Sequence, residues 1–197
     1  MEHTDHAAAR DKERTRRAIL DAAPRMFFEH GAGVSLADIA AAAGVSKGAL
    51  MHHFRTRGEL EIALQVDGSQ RFWEGVLAHV DLSENRPGKL LRGYIRALTS
   101  DEALRRELFS PAALMVVLAT QRSATEHLAE DARRWNEAFD ADGIDPALSH
   151  VLRNAADGLA ANADSPYLTP EELRMASAKL LAMAEAEPVT EEPPRQS

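Results

Sequence analysis

Apolar residues recur at spacings of three and four along most of this chain, and no segment shows the strict alternation of a half-buried strand. The first stripe, Ile19, Ala22-Ala23 and Met26-Phe27, predicts a helix that begins near Arg10 and ends at His30-Gly31. Pro24 lies inside it, where a proline costs about 3 kcal/mol, so a local bend or a start nearer residue 21 is expected. Residues 1–9 have no such period and read as a disordered arm. Ser35 is a good N-cap, and Leu36, Ile39, Ala40 and Ala43 follow on one face until Gly44, which takes the left-handed conformation that ends a helix at no steric cost. Ser46 caps a second short helix whose inner side is Leu50 and Phe54. Two helices on either side of a tight turn make a helix-turn-helix.

With Leu50 inward, a rotation of about 100° per residue turns Gly48 and His52 outward, Ala49 and Met51 to the flanks, and Lys47 and His53 to the shoulders. A face that is small at its N-terminus and polar at its other end fits a helix entering a major groove about 12 Å wide. Arg55 and Arg57 follow at once and suit phosphate contacts. The DNA-contacting candidates are therefore Ser35, Ser46, Lys47, Gly48, Ala49, Met51, His52, His53 and Arg57. The turn by itself leaves a second reading open, a helical-bundle interaction protein without sequence-specific DNA binding.

After Arg57 a long helix is expected to about Val80, through Ile62, Val66, Trp73, Val76-Leu77 and Val80. Asn85–Gly88 breaks the chain, a helix follows from Lys89 to about Leu98, and a shorter one passes through Leu104 and Leu108. In the longest run, Pro111–Phe139, one face carries Leu114, Leu118, Leu128, Ala132, Trp135 and Phe139, but Gln121 and Thr125 interrupt it. A buried amide without a partner costs about 1–3 kcal/mol. Either the two residues bond to their surroundings or they line a cavity; on the second reading Trp73, Tyr94, Met115, Leu118, Gln121, Thr125 and Trp135 make a pocket for a small, mainly apolar molecule. Ala141–Asp145 reads as an exposed loop. Two further helices, Pro146–Ala163 and Pro170–Glu187, have clear starts in Pro146 and in Thr169-Pro170-Glu171-Glu172. Both look too apolar for lone surface helices, so Leu152, Leu159, Leu173 and Leu180 are expected to meet a second copy in a four-helix bundle. Residues 188–197 read as a disordered tail.

Charge sharpens this division. The net charge is −8, but residues 1–57 hold nine Arg/Lys and seven Asp/Glu, or +2, against 14 and 24, or −10, in the remainder. Arg10, Lys12, Arg14, Arg16 and Arg17 crowd the start of the first stripe, which marks the N-terminal end as the nucleic-acid face. There is no cysteine, so disulfides and thiol catalysis are excluded. No apolar run approaches a membrane span, no targeting segment is visible, and a cytoplasmic protein with no membrane partner is expected. The eight histidines are scattered, and His52 and His53 are adjacent and face different ways on a helix. No metalloprotease, phosphate-loop or dinucleotide motif occurs, so no enzyme, metal site or cofactor is expected.

The stretch from Arg17 to Leu60 resembles the N-terminal domain of the TetR family of transcriptional regulators. The matching residues are Ile19-Leu20, Ala22-Ala23, Phe27 or Phe28, Gly31, Ser35, Ile39-Ala40, Ala43-Gly44-Val45-Ser46, Gly48, Leu50, His53-Phe54, Arg57 and Leu60. Two positions depart from the pattern: Met51 stands where members usually carry a backbone-contacting Tyr, and Ala37 where some place a base-reading Arg. The resemblance implies an all-α protein with an N-terminal three-helix helix-turn-helix domain, residues 10–57, and a C-terminal helical ligand-binding and dimerisation domain, residues 58–187. It further implies a homodimer on palindromic double-stranded operator DNA, usually a repressor, released by a small-molecule effector.

Overall fold

The structure is a computed structural model that describes residues 2–109 and 125–185, with side chains for all of these except residues 2–9 and 32. Met115, Leu118 and Gln121 lie outside the described residues. Every regular element among the described residues is helical, as the periodicity requires. They group into two compact units, Met1–Phe72 with Arg106–Ala132, and Trp73–Arg105 with Arg133–Ser197.

In the first unit α1 spans Glu2–His30, α2 spans Leu36–Ala42, α3 spans Lys47–His53, and α4, Arg57–Ala78, begins. Residues 2–9 thus continue α1 instead of forming an arm, in keeping with the high helix propensity of the alanine run at 7–9. Nor does α1 stop or restart at Pro24. Ala23, Met26 and Phe27 around the proline are buried, and burying a large apolar side chain contributes about 1.5–3 kcal/mol, enough for Met26 and Phe27 together to offset an interior proline. The core joins Ile19, Leu20 and Phe27 of α1 with Ile39 and Ala40 of α2, Leu50 of α3, and Leu60 and Leu64 of α4. It therefore reaches beyond residue 57 into the first half of α4.

An ion-pair cluster fastens α1 to α4. Asp67 Oδ2 accepts from Arg17 Nη2 at 2.9 Å and from Arg71 Nε at 2.9 Å. Burial pushes the Asp67 carboxyl up, but the bonds from Arg17 and Arg71 outweigh it and hold the group below the usual carboxylate range. Arg71 also donates to Glu107.

In the second unit α5, Lys89–Ser100, is nearly encased: Leu91, Ile95 and Leu98 are fully buried, and α5 packs on both α8, Pro146–Asn162, and α9, Pro170–Met183. α6, Glu102–Phe109, and α7, Thr125–Asp140, complete the described helices. The loop at 141–145 does structural duty, because the Asp142 carboxylate accepts the N–H groups of Leu90 and Leu91, each at 2.9 Å, and so caps α5. Arg92 is completely buried and paired with Glu84. Its guanidinium donates to Glu84 Oε2 at 2.7 Å and to the carbonyls of Pro87 and Ala184, each at 2.9 Å, tying the 81–88 loop and the end of α9 to α5. Gly88 has φ +84, and a Cβ there would lie 2.3 Å from Ile144 Cδ1.

Candidate nucleic-acid interface

Local bonds fix the helix-turn-helix. Ser35 Oγ accepts the Asp38 N–H at 3.2 Å, and Asp38 Oδ2 accepts from the Ser35 hydroxyl at 2.6 Å and its N–H at 3.3 Å, a complete capping box. The Ser35 hydroxyl and amide hold the Asp38 carboxyl below the usual range. At the other end of α2 the Gly44 N–H donates to the Ala41 carbonyl at 3.1 Å and the Val45 N–H to the Ala40 carbonyl at 3.0 Å, with Gly44 at φ +68, the two bonds of a Schellman motif. Ser46 Oγ then accepts the Ala49 N–H at 3.0 Å and starts α3.

α3 presents the expected face. Leu50 is fully buried, Lys47, Gly48, Met51 and His52 are exposed, and Ala49 and His53 are half-buried. A Cβ on Gly48 would meet only Ser46 Oγ at 3.8 Å, so the tip of the helix is open to close approach. Ser35 and Ser46 are exposed as well. His53 carries an electrostatic setting that α3 alone does not reveal. Burial first, then the positive charges of His52, Lys12 and Arg16, hold its imidazole below the ordinary histidine value, with Glu13 opposing. Arg16 also lies over the Phe54 ring, 5.6 Å from its centroid. Lys12 and Arg16 of α1 thus stand beside the C-terminal end of α3; their i,i+4 spacing was the available signal for this cluster.

Arg57 occupies a different place from the one its sequence position suggested. Its Nε donates to Glu61 Oε1 at 2.7 Å, its Nη1 to the Val34 carbonyl, and its guanidinium lies 4.9 Å from the Phe27 ring centroid. The side chain is turned into the junction of α1, the Val34 turn and α4. Arg55 remains exposed.

The second unit brings three of the seven pocket candidates together. The Trp73 and Trp135 ring centroids are 4.6 Å apart, Tyr94 and Trp135 5.6 Å, and Phe139 joins at 5.6 Å from both Tyr94 and Trp135. Tyr94 donates to Asp157 Oδ1 at 2.6 Å. Burial, opposed by the Tyr94 bond and the Arg153 charge, holds the Asp157 carboxyl above the usual range. Thr125 is exposed at the first residue of α7, in the first unit, so it is not a polar group on a buried face. The buried side of α7 is set further along, by Trp135 and Phe139.

The four leucines assigned to a dimer interface are mostly consumed within the chain. Leu152 is fully buried, Leu173 and Leu180 are buried, and Leu159 is half-buried, because α5 inserts against both α8 and α9. The outward apolar residues on these helices are instead Val151, 60% exposed, and Met175, 57% exposed. Among the described residues no group of three His, Asp or Glu is placed to hold a metal ion, and no helix is long and apolar enough to cross a membrane.

Comparison with known proteins bears on both units. Residues 19–64 match the family described as bacterial regulatory proteins, tetR family, and residues 88–185 match the tetracyclin repressor-like C-terminal domain. The HTH-type transcriptional regulator TtgR of Pseudomonas putida is 46% identical over 55 residues, 27% of this chain and 26% of that protein. The match therefore spans about a quarter of that relative's length. A transcriptional regulator from Rhodococcus sp. Rha1 superposes with a TM-score of 0.65 at 28% identity, over 85% of this chain and 94% of the other. The multidrug binding protein EbrR, solved with imidazole, superposes with a TM-score of 0.59 at 28% identity, over 89% and 92%. A head that matches the family's DNA-binding domain, followed by a helical unit that matches its C-terminal domain, makes this chain a member of the TetR family of transcriptional regulators, a DNA-binding regulator and not an enzyme.

Proposed function

We propose that the chain is a ligand-responsive repressor that binds a palindromic operator as a homodimer and leaves it when a small, mainly apolar molecule binds the second unit. The observation that carries the reading is the exposed face of α3, with Lys47, Met51 and His52 outward, Gly48 open, and Leu50 anchored in the core. α3 enters the major groove; Lys47 and His52 read bases, and Lys12, Arg16 and Arg55 contact phosphates. Two heads related by a twofold axis would stand about 34–36 Å apart, one turn of DNA. The dimer forms through the outer faces of α8 and α9 around Val151 and Met175. The effector binds near Trp73, Tyr94 and Trp135 and acts only if it prefers the DNA-incompetent arrangement, with about 1.4 kcal/mol of preference for each tenfold loss of operator affinity.

Selection from a randomised duplex library at low salt tests this directly. A palindromic sequence should be enriched, and Lys47→Ala or His52→Ala should change the preferred base at one position by roughly 1–3 kcal/mol. Recovery of no preferred sequence would remove the operator reading in favour of a helical interaction protein.

A further inference from the structure

His53 closes α3 where that helix packs on α1. Its imidazole is half-buried, edge-on to His52 with ring centroids 5.7 Å apart, and 6.3 Å from the Phe54 ring, over which Arg16 also lies. Lys12 and Arg16, one turn apart on α1, direct their positive charges at it, and Glu13 opposes them. In the free head a proton on His53 adds a positive charge beside two others, on a ring that burial has already drawn partly out of water. Such a group stays neutral to a lower pH than an ordinary histidine, whose value is about 6.5. DNA reverses this field. A duplex carries one negative charge per about 1.7 Å of its axis, and phosphates that neutralise Lys12 and Arg16 remove the repulsion on His53. A phosphate oxygen beside the ring also offers the proton a charged hydrogen bond. Both changes favour the imidazolium, and only the further loss of water under the backbone works against it.

We propose that His53 makes DNA binding by this head proton-linked: neutral in the free head, it takes up a proton when phosphates reach Lys12 and Arg16. This rests on the reading of α1 and α3 as the DNA face. Linkage is reciprocal, so the proton that DNA favours in turn favours DNA. Affinity rises as pH falls through the interval between the free and the DNA-bound values, by at most about tenfold per pH unit and per head. Above both values the ring is neutral with or without DNA, and below both it is charged in either state, so the effect vanishes on each side. A regulator built on this head grips DNA more tightly as its surroundings acidify, and it answers to pH as well as to its effector.

Two measurements on the full chain test the proposal, both with a short duplex of random sequence at low, constant ionic strength. In the first, the histidine Cε1–H resonances are followed against pH with and without duplex. The free His53 resonance should titrate below the ordinary value, Lys12→Gln should move its midpoint up, and duplex should move it up further in the native chain. In the second, duplex affinity is read by fluorescence anisotropy. Native affinity should fall about 3- to 30-fold from about pH 6 to about pH 8, and His53→Gln should remove most of that fall. An equal fall in the native and His53→Gln chains overturns the proposal, as does a His53 midpoint that duplex leaves in place. The resonances of the native chain decide the matter even where His53→Gln does not fold. Operator selection is read separately. A chain that selects no operator yet protonates His53 on random duplex loses the regulator reading and keeps the linkage; one that selects an operator with no shift at His53 keeps the regulator reading and loses the linkage.

Discussion

Replacing Arg57 by methionine keeps most of the side-chain stem and removes the guanidinium, which separates two roles for this residue. In the fold the guanidinium donates to the Val34 carbonyl and to Glu61 and covers the Phe27 ring. A hydrogen bond from a charged donor contributes about 1.5–3 kcal/mol, and a half-buried cation–π contact about 0.5–2 kcal/mol. The Glu61 pair adds less, because the Arg57 side chain is 32% exposed and solvent screens it. Together the loss should be on the order of 2–4 kcal/mol. At about 2–4 °C per kcal/mol for a chain of this length, the Tm should fall by roughly 5–15 °C. Operator affinity should fall too, since the junction ties α1 and α4 to the Val34 turn that leads into the helix-turn-helix, but the slope of log K against log salt should not change. A residue that neutralises a phosphate behaves otherwise: its loss flattens that slope by about 0.9 per contact and leaves stability nearly untouched. Titration of Arg57→Met against operator DNA between about 50 and 200 mM salt, beside a melting curve, reads both quantities. A flattened slope with an unchanged Tm would refute the positioning role and restore Arg57 to the phosphate contacts.

Gly88→Ala should destabilise the chain by at least about 1–3 kcal/mol in urea unfolding, because the new Cβ meets Ile144 Cδ1 at 2.3 Å and φ is +84; a change under about 0.5 kcal/mol would show that the loop relaxes freely. Asp67 is held below the usual carboxylate range in the fold, so the folded chain binds fewer protons there than the unfolded one, and its stabilisation is present above about pH 4 and lost as pH falls through the folded value. The stability gap between native and Asp67→Asn chains should accordingly be constant from neutral pH to about pH 5 and shrink below pH 4; a gap that persists undiminished at pH 3 contradicts the assignment. Val151→Glu together with Met175→Glu should convert a dimer to a species near 21.5 kDa in sedimentation without loss of helicity, and an unchanged mass would place the interface elsewhere.

What the chain's own residues determine is whatever short-range chemistry controls. Ser35, Gly44 and Ser46 specify the ends of α2 and α3 because a cap or a left-handed glycine acts within three or four residues. Leu50 and Phe54 orient α3 because they need burial on one side, whatever the partner. Thr169-Pro170-Glu171-Glu172 marks the start of α9 for the same reason, through a capping box confirmed by the Glu172 N–H bonding to Thr169 Oγ1 at 3.2 Å. Long-range partners were legible only in the tertiary structure. Arg57 has the sequence context of a phosphate ligand, and it is the Val34 carbonyl, 23 positions away, that draws it inward. Leu152, Leu173 and Leu180 have the periodicity of an interface, and helical periodicity reports that a face is buried without saying by what; α5 of the same chain covers it.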